Sequence, residues 1–106
     1  MSYGVWLECP SCHGRTEGTS WNYTSNIWPM LKDAGIDIHN WDNCLAKKIL
    51  PELERGIANL HNEPERYKKM NPPNGWGNYN ELLSYFLEPM AKAFSEYPDR
   101  VVRTYL

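Results

Sequence analysis

Two patterns of residues in this sequence have the types and spacing to do chemistry. The first is Cys9-Pro10-Ser11-Cys12, a pair of thiols two residues apart. Thiolates at that spacing grip one Zn²⁺ from a tight turn, but a closed structural site takes four ligands. The remaining thiol is Cys44, and His39 lies close to it in sequence, so Cys9, Cys12, His39 and Cys44 form a candidate Cys₃His set for structural zinc. The same residues also fit a plain hairpin tip carrying free thiols. Cys9, Cys12 and His13 match the haem-attachment spacing, with Met70 as an axial candidate, yet such attachment follows export and no export signal precedes Cys9. A glutaredoxin-like redox site needs a helix directly after the first cysteine, and Gly14 and Gly18 follow instead.

The second pattern places amides beside large rings. One segment is Trp21-Asn22-Tyr23-Thr24-Ser25-Asn26, with Trp28 just beyond. The other runs from Asn71 through Asn74-Gly75-Trp76-Gly77-Asn78-Tyr79 to Asn80. Asparagine offers both donor and acceptor, and Trp and Tyr offer faces on which a base can stack. Both segments fall at expected helix entrances, where backbone N–H groups lack intrahelical partners. Asn22, Tyr23, Thr24, Asn26, Trp28, Asn74, Trp76, Asn78 and Tyr79 are therefore the candidate lining of a site for a nucleotide-like small molecule. The competing reading is structural. Asn26 and Asn78 suit N-caps, Asn74-Gly75 is ordinary turn chemistry, and Trp76 could plug the core.

The elements that must position these residues follow from periodicity. Tyr3, Val5 and Leu7 alternate with Gly4 and Trp6 as in a strand, and Thr19 to Tyr23 reads as its hairpin partner. A first helix is expected over 27–34, with Asn26 as N-cap and Gly35 as its stop. A loop over 36–43 holds Asn40, Asp42 and Asn43 as possible caps for a second helix over 44–61. That helix carries the stripe Leu50, Leu53, Ile57, Leu60, and Pro51 predicts a kink or a division. Pro64 opens one more helical turn. A third helix over 79–97 carries Tyr79, Leu82, Leu83, Phe86, Met90, Phe94 and Tyr97 on one face, with a bend expected at Pro89. Val101 to Tyr105 reads as a final strand. The expectation is one α+β domain spanning 1–106, a small antiparallel sheet (N-terminal hairpin plus C-terminal strand) packed on about three helices.

Composition narrows the function. Five Trp and seven Tyr stand against two Phe in 106 residues, which favours rings with a polar handle. Eleven basic residues face thirteen acidic ones, so duplex nucleic acid is not an expected partner. No apolar run is long enough for a membrane span, and three cysteines without an export signal point to a reducing, cytoplasmic setting. No nucleophile elbow, phosphate loop or metalloprotease motif is present, so the expectation is a non-enzymatic protein, with homo-oligomer formation open.

Several motifs in order carry a resemblance. They are Asn22-Tyr23-Thr24-x-Asn26, Pro29-Met30, Ala34-Gly35-Ile36, Leu50-Pro51-x-Leu53-x-x-Gly56-Ile57, Pro64-x-Arg66-Tyr67, and Asn71-Pro72-x-Asn74-Gly75-Trp76-Gly77-x-Tyr79. Across residues 19–106 the chain resembles a family of short proteins encoded by tailed phages, prophages and bacteria. The resemblance implies a phage or prophage accessory role in the host cytoplasm. In that setting the expected functions are sequestration of a nucleotide-derived host defence signal, inhibition of a host protein, or a zinc-stabilised regulatory module. Cys9-Pro-Ser-Cys12 looks like an addition at the hairpin tip that many relatives lack.

Overall fold

The computed structural model describes residues 2–106. Strand β1 (Ser2–Glu8) alternates as its sequence demands, with Tyr3, Val5 and Leu7 turned into the core. It lies inside a four-stranded antiparallel sheet of order β2-β1-β4-β3. Strand β2 (Arg15–Thr24) is longer than expected, because pairing resumes beyond an irregularity. Trp6 opposes Ser20 and Glu8 opposes Arg15, so residues 16–19 bulge from the edge around Gly18 at φ +76°. Strand β4 (Val101–Tyr105) pairs with β1, as expected from its β-branched residues.

Strand β3 (Cys44–Leu45) overturns the expected start of the second helix. Cys44 opposes Val102 and Leu45 opposes Val101, so these two residues are drawn into the sheet before the helix begins. Asn40, Asp42 and Asn43 do not cap that helix. Asp42 instead accepts hydrogen bonds from the Arg103 side chain (3.0 Å) and the Thr104 N–H (2.9 Å). The helix, α2 (Ala46–Asn62), has its first amides taken by backbone: Ala46 N–H donates to Arg100 O and Lys47 N–H to Pro98 O, both at 2.9 Å. Pro51 does not divide it, since α2 runs unbroken across that residue. The buried face is Ala46, Ile49, Leu53, Gly56 and Leu60, which turns Leu50 and Ile57 to its margin. Gly56 is there for close approach, because a Cβ on it would lie 2.2 Å from Ile36 Cγ1.

Helix α1 (Trp28–Ala34) begins after a 3₁₀ turn over Ser25–Ile27, and the cap is Thr24 rather than Asn26. Thr24 Oγ1 accepts the Asn26 N–H at 3.3 Å, and the extra turn leaves Pro29 in the first turn of α1, where its missing N–H has no partner to lose. Gly35 closes the helix at φ +89° as expected. In the loop that follows, Trp41 is fully buried, packs edge-on to Phe94 at 6.1 Å, and donates Nε1–H to Glu52 at 2.7 Å. Short helix α3 (Pro64–Lys68) is tied to α1 by Arg66 and Asp33 at 2.7 Å.

Helix α4 (Tyr79–Glu81) continues through a π-helical stretch (Leu82–Leu87) into α5 (Glu88–Glu96). A proline ring collides with the carbonyl four residues back in a regular helix. The wider π turns lie just ahead of Pro89 and accommodate it within a continuous rod. The expected stripe is buried from Tyr79 to Phe94, with Leu87 added and Tyr97 at its margin. The α+β expectation therefore holds: helices cover the inner face of one small antiparallel sheet. No helix among the described residues is long and apolar enough to cross a membrane.

Candidate functional site

The two amide–aromatic segments meet in space. Tyr23 and Gly77 join them. Tyr23, on the inner face of β2, stacks on Phe86 (5.8 Å, 29° between planes), and its hydroxyl accepts the Asn78 N–H at 3.0 Å. Gly77, at φ +93°, lies so close to the end of β2 that a Cβ would be 2.6 Å from Thr24 Cγ2 and 3.1 Å from Ile27 Cγ2. Only glycine combines that φ with that approach. The loop before α4 is thereby docked onto the end of β2.

The docking leaves a cleft of about 780 Å³ lined by Ser2, Asn22, Tyr23, Thr24, Asn26, Gly75, Trp76, Gly77 and Glu81. Asn22 donates Nδ2–H to Ser2 Oγ at 3.3 Å, across the β1–β2 pair. Asn26 is exposed on the turn into α1. Trp76 is 70 % exposed, so it does not plug the core as the structural alternative supposed. Gly75 at φ +79° and the Trp76 N–H on Asn74 Oδ1 (3.0 Å) shape the turn that presents the indole.

Other candidates have structural duties. Asn78 caps α4: its Oδ1 accepts the Glu81 N–H at 2.9 Å, and its Nδ2 donates to Glu81 Oε1 at 2.6 Å. Tyr79 is buried, donates its hydroxyl proton to Leu60 O at 2.7 Å, and gives its N–H to Asn71 Oδ1 at 2.8 Å. Burial raises the Tyr79 and Tyr23 phenols above the usual value. Trp28 lies away from the cleft, edge-on to His39 at 4.5 Å. Neither Trp28, Asn74, Asn78 nor Tyr79 lines the cleft, whereas Asn22, Tyr23, Thr24, Asn26 and Trp76 do. Ser2, Gly75, Gly77 and Glu81 were not anticipated. The Asn78-x-x-Glu81 spacing, a capping-box pattern, was the available signal for Glu81.

The thiols fall in separate places. Cys9 and Cys12 share the hairpin tip, closed by Cys9 N–H to Gly14 O (2.8 Å) and His13 N–H to Cys9 O (2.9 Å). Ser11 Oγ lies 3.3 Å from Cys9 Sγ, and the Cys12 N–H points at that sulfur from 3.5 Å. These contacts, the Ser11 hydroxyl foremost, lower the Cys9 thiol to about 6. Cys44 Sγ instead contacts Asn40 O at 3.6 Å, and His39 packs against Tyr3 and Trp28. Among the described residues no three His, Cys, Asp or Glu side chains converge as a metal-binding group, so Cys9, Cys12, His39 and Cys44 are not assembled into one set.

Comparison of the chain with protein-family models, curated proteins and solved structures gives no match.

Proposed function

We propose that the protein is a non-enzymatic accessory protein of phage or prophage origin that binds a nucleotide-like small molecule in the cleft between β2 and the loop before α4. Its role is sequestration of a host defence signal in the host cytoplasm. The observation that carries this reading is a cleft lined by the exposed Trp76 together with Asn22 and Asn26. The cleft volume of about 780 Å³ falls within the range of small-molecule sites. A ring stacked on an indole contributes about 1–3 kcal/mol, and amides provide the orientation.

The test is a thermal-shift and tryptophan-fluorescence panel of nucleotides, including cyclic dinucleotides and ADP-ribose derivatives. A ligand at a hundred times its Kd adds roughly 2.7 kcal/mol of stability. Trp76→Ala should weaken that ligand by about tenfold or more. Absence of any stabilisation or quenching across the panel defeats the reading.

A second reading is a protein-binding inhibitor of a host factor. Tyr85 is 65 % exposed beside Tyr23, at 6.2 Å, so it joins Trp76 as an exposed ring near the cleft. Exposed Trp and Tyr are common interface hot spots. A stoichiometric host protein captured by the native chain but not by Trp76→Ala, with no response to nucleotides, would favour this alternative. A zinc-stabilised regulatory module has less support, because Cys9 and Cys12 supply only two ligands at one place.

A further inference from the structure

We infer that the cleft recognises the uncharged nucleoside part of its ligand, base and ribose, and leaves any phosphate in solvent. This rests on the nucleotide-like reading above and specifies which part of such a ligand is held.

Two independent observations carry it. The first is charge. Among the described residues the lining contains no Lys, Arg or His, and it includes the carboxylate side chain of Glu81. Among the described lining residues a phosphate would meet a carboxylate and no basic side chain, in a chain whose net charge is already −2.

The second is the state of the backbone donors. Helix entrances seat phosphates through unpartnered N–H groups. At both entrances here several of those donors already have partners. Asn26 N–H is held by Thr24 Oγ1, Trp76 N–H by Asn74 Oδ1, and Asn78 N–H by the Tyr23 hydroxyl. Tyr79 N–H is held by Asn71 Oδ1 and Glu81 N–H by Asn78 Oδ1. Side chains of Asn71, Asn74 and Asn78, with the Thr24 and Tyr23 hydroxyls, thus occupy these backbone donors.

What remains suits a nucleoside. Trp76 offers a face for the base. Asn22 and Asn26 also line the cleft, and the Asn22 amide is held by Ser2 Oγ. Glu81 is oriented through Oε1 by Asn78, and a fixed carboxylate is a strong acceptor for a ribose diol. The same acceptor on a ribose 2′-hydroxyl appears in dinucleotide sites.

The experiment titrates the intact protein, by tryptophan fluorescence, with nucleosides, their 2′-deoxy forms and their 5′-monophosphates at low and high salt. The expected result is a nucleoside that binds within about threefold of its monophosphate, with affinity nearly independent of salt. The ribonucleoside should bind about tenfold more tightly than its 2′-deoxy form, and Glu81→Gln should shrink that ratio toward one. Trp76→Ala should weaken both sugars alike. If the monophosphate binds at least tenfold more tightly than the nucleoside, or its binding falls steeply with salt, the inference is overturned while the nucleotide-like reading stands. An unchanged ribose preference in Glu81→Gln overturns the role of Glu81. If neither nucleosides nor nucleotides bind, the nucleotide-like reading itself is lost.

Discussion

Replacing Gly77 by alanine tests whether the two walls of the cleft are docked as described, and Gly75→Ala is its matched control. Both glycines have positive φ, +93° and +79°, so a side chain at either position meets backbone strain of about 1–2 kcal/mol. Both substitutions also restrict the unfolded chain, which offsets about 0.4–1 kcal/mol of that strain. The difference lies in the surroundings. A Cβ at Gly75 has no neighbour within 4 Å, while one at Gly77 lies 2.6 Å from Thr24 Cγ2 and 3.1 Å from Ile27 Cγ2. Ile27 is fully buried, so relief requires the loop to lift from the end of β2. Overpacking of that kind costs about 1–3 kcal/mol. Gly75→Ala should therefore cost about 1 kcal/mol or less, and Gly77→Ala about 2–4 kcal/mol. Urea denaturation followed by tryptophan fluorescence measures both, and the extra loss should lower the midpoint of Gly77→Ala by about 0.5–1 M relative to Gly75→Ala. Lifting the loop should also break the Tyr23–Asn78 bond and abolish ligand binding at unchanged ligand concentration. Equal stabilities for the two variants, within about 0.5 kcal/mol, would refute the docking argument.

Three other predictions concern separate parts of the molecule. Gly56→Ala should destabilise by about 1–3 kcal/mol despite alanine's better helix propensity, because Ile36 fills the space; a neutral or stabilising result in thermal melts would contradict the packing of Ile36 against α2. Burial raises the Tyr79 phenol, so its neutral form is favoured in the folded chain. That contribution is fully present below the ordinary tyrosine value of about 10 and lost as pH rises through the folded value, so urea midpoints should fall in alkali; a flat profile up to pH about 11 speaks against it. Cys9 should be alkylated with half-maximal rate near pH 6, as its value of about 6 requires, and Ser11→Ala should move that midpoint upward. Peptide mapping after pulsed alkylation reads both, and an ordinary thiol midpoint near 8.5 would rule out the hydrogen-bonded turn.

Local periodicity made β1 and the long C-terminal helix legible, because their apolar residues repeat at the strand and helix periods over many residues. Strand β3 was not legible. Two residues have no period, and what makes Cys44 and Leu45 a strand is Val102 and Val101 at the far end of the chain. Trp41 shows the same limit, since its burial depends on Phe94 and on a carboxylate from the next helix. At the site, the pairing of amides with rings identified both walls of the cleft. It could not tell the amides that line the cleft from those that hold it. Asn71, Asn74 and Asn78 each bind a backbone N–H within the same loop and helix entrance, a matter of loop geometry that composition does not encode.

The neighbouring places of the first and last strands have a practical consequence. Gly4 faces Tyr105 across the sheet, and Ser2 both pairs with Thr24 and lines the cleft. A bulky label coupled at Ser2, through Ser2→Cys, would therefore sit beside the cleft and compete with whatever enters it. The Cys9–Gly14 tip lies at the other end of β1, about 20 Å away for a strand of this length. A label coupled instead at Ser11, in the turn between β1 and β2, would leave every strand pair in place. It would lie on the side remote from the cleft, where a handle for immobilisation leaves the cleft clear.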